Sequence, residues 1–234
     1  MRAEWKHLAE EVLESNLALP KLGLVAFTWG NLSALSPDRS VVLIKPSGVP
    51  YEELTIDKLV ALNPETGEVI SGDYKPSSDT KTHLHLFESW PEIGAVVHTH
   101  SRHAASWAQA CRDLPAYGTT HADYFHGPIP CTRKLRTEEM EQDYELNTGR
   151  VIVETFTERG IDPVAVPGVL VAGHGVFSWG KDAEEAVYHA AVMEEIAYMA
   201  LQTELVNPAV SPIEQGLLGV HYYRKHGKDA YYGQ

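Results

Sequence analysis

Long apolar runs are missing from this chain. No stretch of about 18 uncharged apolar residues occurs, so no segment is a candidate for a membrane-crossing helix. The opening MRAEWKHLAEEVLESNLAL carries its charges throughout and reads as an amphipathic helix, not as a secretory leader. Cysteine is scarce. Cys111 and Cys131 make no C-x-x-C pair and offer no disulfide framework, which fits a reducing cytoplasm. Basic residues are few as well: 19 Lys plus Arg face 32 Asp plus Glu, a net charge of −13. That balance repels nucleic acid and anionic lipid unless one face is basic, and no basic face is visible. It also opposes an anionic small molecule, so any anion site must be made locally positive by a metal, a lysine or a helix N-terminus. Repeats, low-complexity tracts and linkers are missing too, so the 234 residues are expected to form one domain.

What is present is periodicity. Leu8, Val12, Leu13 and Leu17 recur at helical spacing from about Glu4 to Leu19, where Pro20 should stop the helix. Short strands are expected at Val25 to Trp29, Ser33 to Leu35, Val41 to Ile44, Leu59 to Leu62 and Val69 to Ile70, with Pro-Glu-Thr-Gly turning the last pair. Ser78, Asp79 and Thr80 offer caps to a helix that runs to about Trp90, and a buried strand, Ala95 to Thr99, follows. Further helices are expected over Ala104 to Cys111, Glu138 to Gly160 with a break near Asn147-Thr148-Gly149, and Ala183 to about Val206, where Asp182 and Glu185 form a capping box. A strand should cover Gly168 to Ala172. This mixture implies an α+β or α/β sandwich and leaves the strand order open.

The most informative stretch is Val96-Val97-His98-Thr99-His100-Ser101-Arg102-His103. Residues i and i+2 of an extended chain point to one side, so His98 and His100 can converge on one ion, while His103 falls out of register. His174, between Gly173 and Gly175, also follows an apolar strand. Three neutral imidazoles at strand ends suit zinc, manganese or cobalt. An H-x-H pair alone is more often a structural or surface feature than a metal site, and spacing does not bring the two strand ends together. Of the remaining histidines, His7, His83, His85, His103, His126, His189 and His226 default to surface or core positions.

Three polar turns are candidates for holding an anion: Thr28-Trp29-Gly30-Asn31-Leu32-Ser33, Lys45-Pro46-Ser47-Gly48 and Lys75-Pro76-Ser77-Ser78-Asp79. The last opens a helix, where free N–H groups attract phosphate. None matches the Walker or G-x-G-x-x-G pattern.

These segments, with His-Thr-His-Ser-Arg-His-Ala at 98 to 104, Gly-Thr-Thr-His-Ala-Asp-Tyr-Phe at 118 to 125, Ile-Pro-Cys-Thr-Arg at 129 to 133 and Tyr-Tyr-Gly-Gln at 231 to 234, resemble the metal-dependent sugar-phosphate aldolases and epimerases of the class II aldolase and adducin type. The resemblance spans essentially the whole chain. It is closer to the epimerases acting on L-ribulose 5-phosphate than to the aldolases. It implies an α/β fold of three layers, a central mixed β-sheet flanked by helices. It implies one divalent metal per subunit, zinc with manganese or cobalt as alternatives, held by His98, His100 and His174 with Asp79 at or beside it. Gly30, Asn31, Ser47, Gly48, Ser77 and Ser78 would contact the substrate, mostly its phosphate, and Lys45 would add charge. Asp123 and Tyr232 would be the acid/base pair, supplied across a subunit interface of a homotetramer, with Glu145 and His221 supporting them. The related aldolases carry glutamate where this chain has Asp79, which is one methylene shorter and favours metal contact over reach to the substrate carbon. His126 departs from the tyrosine of the enteric relatives.

The implied reaction interconverts L-ribulose 5-phosphate and D-xylulose 5-phosphate. The C4–H bond is not next to the carbonyl, so retro-aldol cleavage of C3–C4, rotation of the aldehyde and re-addition is the accessible route. An aldolase that releases the aldehyde and a non-catalytic adducin-like binding module are the alternatives. A zinc hydrolase lacks its H-E-x-x-H.

Overall fold

The computed structural model describes residues 2–228 and 230–231. Seven strands and seven α-helices run in the order α1 (Lys6–Lys21), β1 (Asn31–Leu35), β2 (Val42–Ile44), β3 (Val60–Leu62), β4 (Val69–Ser71), α2 (Thr80–Ser89), β5 (Ala95–Thr99), α3 (Arg102–Gln109), α4 (Thr119–Ala122), α5 (Thr137–Arg159), β6 (Gly168–Leu170), β7 (Val176–Gly180), α6 (Ala183–Val206) and α7 (Gln215–His226). The strands form one sheet in the order β4-β3-β2-β1-β5-β7-β6. Neighbouring strands are antiparallel, and the parallel contribution is an isolated bridge between Cys131 and Leu170.

Alternation along these strands builds the three layers. Val42, Ile44, Val60, Leu62 and Val96 face one core with Phe87 of α2, Trp107 of α3 and Phe156 of α5. Their neighbours Val41, Leu43, Ala61, Ala95 and Val97 face a second core with Val12 of α1 and Ala186 of α6. Because helices cover both faces, every strand except the edge strand β4 is buried along its length, unlike an antiparallel sheet with one solvated side. Among the described residues, no helix is long and apolar enough to cross a membrane.

Several expectations change. Val25 to Trp29 is a turn with Phe27 at φ 55°, not a strand. Pro20 sits inside the last turn of α1, which ends at Lys21 as Gly23 takes φ 71°. The irregularity in α5 falls at Asp143 (φ −157°, ψ 80°), not at residues 147–149. A Cβ on Gly149 would lie 3.1 Å from His85 Cβ, so that glycine serves the close approach of α5 to α2. Asp182 Oδ1 caps Glu185 N at 2.8 Å, but the Glu185 side chain returns to Lys181 N instead of completing the box. Strand β7 and helices α4 and α7 were not anticipated from the pattern.

Candidate metal centre

Strand pairing assembles the site. Asn31 of β1 lies opposite His98 of β5, and His98 lies opposite Phe177 of β7, so the three share one face of the sheet, toward α2 and α5. Phe177 stacks on the His98 ring at 4.2 Å and 20°. His100 follows one step beyond the end of β5, and His174 stands on the β6–β7 turn. The strand ends are therefore adjacent in space, which the spacing alone left open.

The ring centroids of His98, His100 and His174 form a nearly equilateral triangle with sides of 4.8, 4.9 and 4.9 Å. One ligand atom from each lies within 4.8 Å of the others. His98 Nδ1 sits 2.9 Å from Val176 O. A carbonyl only accepts, so Nδ1 carries the proton and the Nε2 lone pair is free. His98 Nε2 is 3.1 Å from His100 Nε2, and two nitrogens at about 2.0–2.1 Å from one ion stand about 2.9–3.4 Å apart. Gly175 permits this crowding, since a Cβ there would lie 2.7 Å from Thr99 O and 3.1 Å from His98 Cε1. Burial, then His98, lowers the His100 pKa. The same two causes and His100 push His174 down to about 4. Both shifts favour the neutral imidazole that metal ligation requires.

Asp79 is the residue before α2, but its carboxylate makes no capping bond. Oδ2 accepts from Asn31 Nδ2 at 2.6 Å and from Ser77 Oγ at 3.3 Å. Burial raises its pKa, yet His98, His83 and the Asn31 bond outweigh that and leave it below the usual value. Asn31 Oδ1, His83 Nε2, Ser101 Oγ and His174 Nδ1 are buried with no hydrogen-bond partner among the described residues. All four belong to this corner or to segments that touch it, and a cluster of orphaned polar atoms marks a site whose partner is a ligand. Three imidazoles with a nearby carboxylate fit a divalent transition metal.

The proposed anion loops also meet. Ser47 N donates to Lys75 O at 2.9 Å, Ser77 N donates to Lys45 O at 3.2 Å, and Pro46 bridges Pro76. Ser47, Gly48 and Ser78 are exposed at their rim. Gly30 completes the join at φ 71°, where a Cβ would lie 2.7 Å from His98 O, and the Tyr51 hydroxyl is 3.0 Å from both Trp29 O and Gly30 O. Lys45 is 1% exposed. Its Nζ lies 3.4 Å from Pro46 O and 4.8 Å from the Tyr51 ring centre, and burial lowers its pKa to about 8. Among the described residues no carboxylate pairs with it.

Beside these loops, Lys75, Ser77, Ser78, Lys81 and Glu145 line a cleft of about 920 Å³. The kink at Asp143, pinned by Lys81 Nζ at 2.7 Å, turns α5 so that the Tyr144 ring stands 5.9 Å from His174. Tyr144 was not foreseen, since nothing in the sequence marks the kink.

Asp123 and His221 are brought together with each other, not with the histidines. Asp123 Oδ1 is 3.0 Å from His221 Nδ1, and Arg224 donates Nε to Oδ1 at 3.1 Å and Nη2 to Oδ2 at 2.9 Å. The segment that follows Asp123 is fixed at the start of β6: His126 N donates to Ala165 O, and Phe125 lies against Gly168. His174 follows the other end of that strand. Tyr232 lies outside the described residues.

Residues 10–201 match the family model described as Class II Aldolase and Adducin N-terminal domain. The chain is 54% identical over 227 residues to L-ribulose-5-phosphate 4-epimerase UlaF of Salmonella paratyphi C (strain RKS4594), covering 97% of this chain and 98% of that protein. The solved L-fuculose 1-phosphate aldolase superposes with a TM-score of 0.79 at 20% identity, covering 94% of this chain and 96% of that one. YgbL from Klebsiella pneumoniae, a putative aldolase/epimerase/decarboxylase, superposes at 0.73 with 24% identity, covering 92% and 97%. At such identities these two likenesses show the fold alone.

Proposed function

Since this chain belongs to the class II aldolase and adducin family, we propose that it is a metal-dependent epimerase interconverting L-ribulose 5-phosphate and D-xylulose 5-phosphate. The observation that carries the reading is the triangle of His98, His100 and His174 around one point, joined to the 54% identity with a protein named for that activity. The three imidazoles, with Asp79 at their edge, would hold the ion, zinc in the first instance. When bound, the ion supplies electrostatic stabilisation for negative charge developing on neighbouring substrate oxygens.

The chain's own groups do the rest. The buried Lys45, with Ser47, Gly48, Ser77 and Ser78, binds the phosphate and anchors the aldehyde half while C3–C4 is broken. Asn31 spends its amide nitrogen on Asp79 and Ser77, so it offers a ligand the acceptor Oδ1, which suits a substrate hydroxyl. Cleavage needs a base for the C4 hydroxyl proton, and re-addition to the other aldehyde face needs an acid for the new C4 oxyanion. Asp123 and Tyr232 would take these two roles, with His221 holding Asp123 and Glu145 lining the cleft.

The segment after Asp123 is fixed at the start of β6, and His174 follows that strand's other end, so Asp123 would act on the metal corner of another copy in a homotetramer. The exposed Phe27 and Trp29 beside the anion loops, and Leu217, Val220 and Tyr223 on α7, support such contacts. Incubation of metal-loaded protein with L-ribulose 5-phosphate should yield D-xylulose 5-phosphate, lose that conversion on chelation and regain it with zinc or manganese. Undiminished conversion by verified metal-free protein contradicts metal dependence. Stoichiometric release of dihydroxyacetone and glycolaldehyde phosphate would mean aldolase action instead.

A further inference from the structure

We propose that Arg224 is a positioning residue that holds the Asp123 carboxylate ionised and turned so that Oδ2 receives the substrate proton. This rests on the reading of Asp123 as an acid/base residue and adds a residue and an atom to it. Helix α4 is a single turn with Asp123 just past its end, so its own backbone does little to orient that side chain. The orientation comes from α7. Arg224 grips both oxygens, His221 takes a second position on Oδ1, and His226 Nε2 donates to the Asp123 backbone carbonyl at 2.9 Å. Among the described residues Oδ1 thus has two donors and Oδ2 one. A carboxylate offers about two acceptor positions per oxygen, so the open position is on Oδ2. Asp123 is 9% exposed, and burial raises its pKa, but Arg224 and His221 reverse that and hold it below the ordinary value. Among the described residues, other ionisable groups near it include Tyr124, Lys225 seated over the Tyr124 ring, and Tyr188 of α6, bonded to Tyr124.

The same bonds would serve a purely mechanical anchor for α7, so the test must read charge and orientation as well as stability. Profiles of kcat/KM against pH are measured in both reaction directions for the full-length metal-loaded protein and its Arg224→Ala and Arg224→Lys variants. Removing an adjacent cation raises a carboxyl pKa by about one to three pH units, so the limb assigned to Asp123 moves up by that amount in Arg224→Ala with metal content unchanged. Arg224→Lys restores the charge but not the two-point grip; its limb returns toward the parent position while kcat stays low. If Arg224→Ala does not fold, the lysine variant alone carries the test, and parent-like kcat in it overturns the proposal. A lowered Tm with the limb unmoved shows an anchor only and also overturns it. Asp123→Asn is run alongside: parent-like turnover there removes Asp123 from the chemistry, a failure distinct from that of Arg224.

Discussion

At the histidine corner, buried polar atoms outnumber their partners; around Asp123, both carboxylate oxygens are answered from α7. The first is made of strand ends in the middle of the sheet, where register fixes His98 against Asn31 and Phe177. Burial favours the neutral form of His100 and His174, and among the described residues four polar atoms are left without a bond. The second is made of a one-turn helix and a late helix, and its carboxylate is kept charged by Arg224 and His221. An unanswered site leaves bonding capacity for a ligand, whereas an answered one is organised before any ligand arrives. Metal and proton chemistry are thus prepared by opposite means.

The sharpest way to break this contrast is His98→Asn, which should leave less than about a tenth of an ion per chain and lower kcat by about 10³-fold or more. Retained metal and turnover would show that the triangle is not the binding site. Lys45→Met should act more mildly, raising KM for the sugar phosphate by about 10–100-fold through loss of a charge-assisted bond of about 1.5–3 kcal/mol. Metal analysis should be unchanged, and an unaltered KM would separate Lys45 from the phosphate.

A test of stability, not of turnover, lies on the Asp123 side. His121, bonded to Gly127 O at 2.7 Å, is pushed by burial down to about 4. Between pH 6.5 and about 4 the unfolded chain takes up a proton that folded His121 refuses, so stability falls as pH falls through that window. The loss is on the order of 3 kcal/mol. His121→Gln should show a shallower decline in urea midpoint from pH 7 to pH 5, and an equally steep decline would assign it to other groups.

The histidine corner was largely legible because it obeys local rules. Val96, Val97, His98 and His100 display the two-residue period, and His174 is framed by glycines whose use is visible in the sequence. Strand β5 and helix α6 have the bounds that pattern and capping imply, since both are long and strongly apolar. Val25 to Trp29 misled because apolar residues there face outward, with Phe27 79% and Trp29 55% exposed, and hydrophobicity alone does not reveal a surface turn. Tyr144 depends on the kink held by Lys81 and Asp143, 62 residues apart. Arg224 depends on Asp123, 101 residues away. Neither separation has a periodic signature, so tertiary contact alone brings those residues into use.

The account turns on the two corners meeting between copies of the chain, which complementation reads directly. His98→Asn keeps an intact Asp123 corner, and Asp123→Asn keeps an intact histidine corner. Each alone should be nearly inactive. Co-expressed in equal amounts, random mixing gives about half times half, or roughly a quarter, of sites with both corners intact, and activity should recover to about that fraction of the parent. Activity no greater than the sum of the two separate variants would contradict a site shared between subunits.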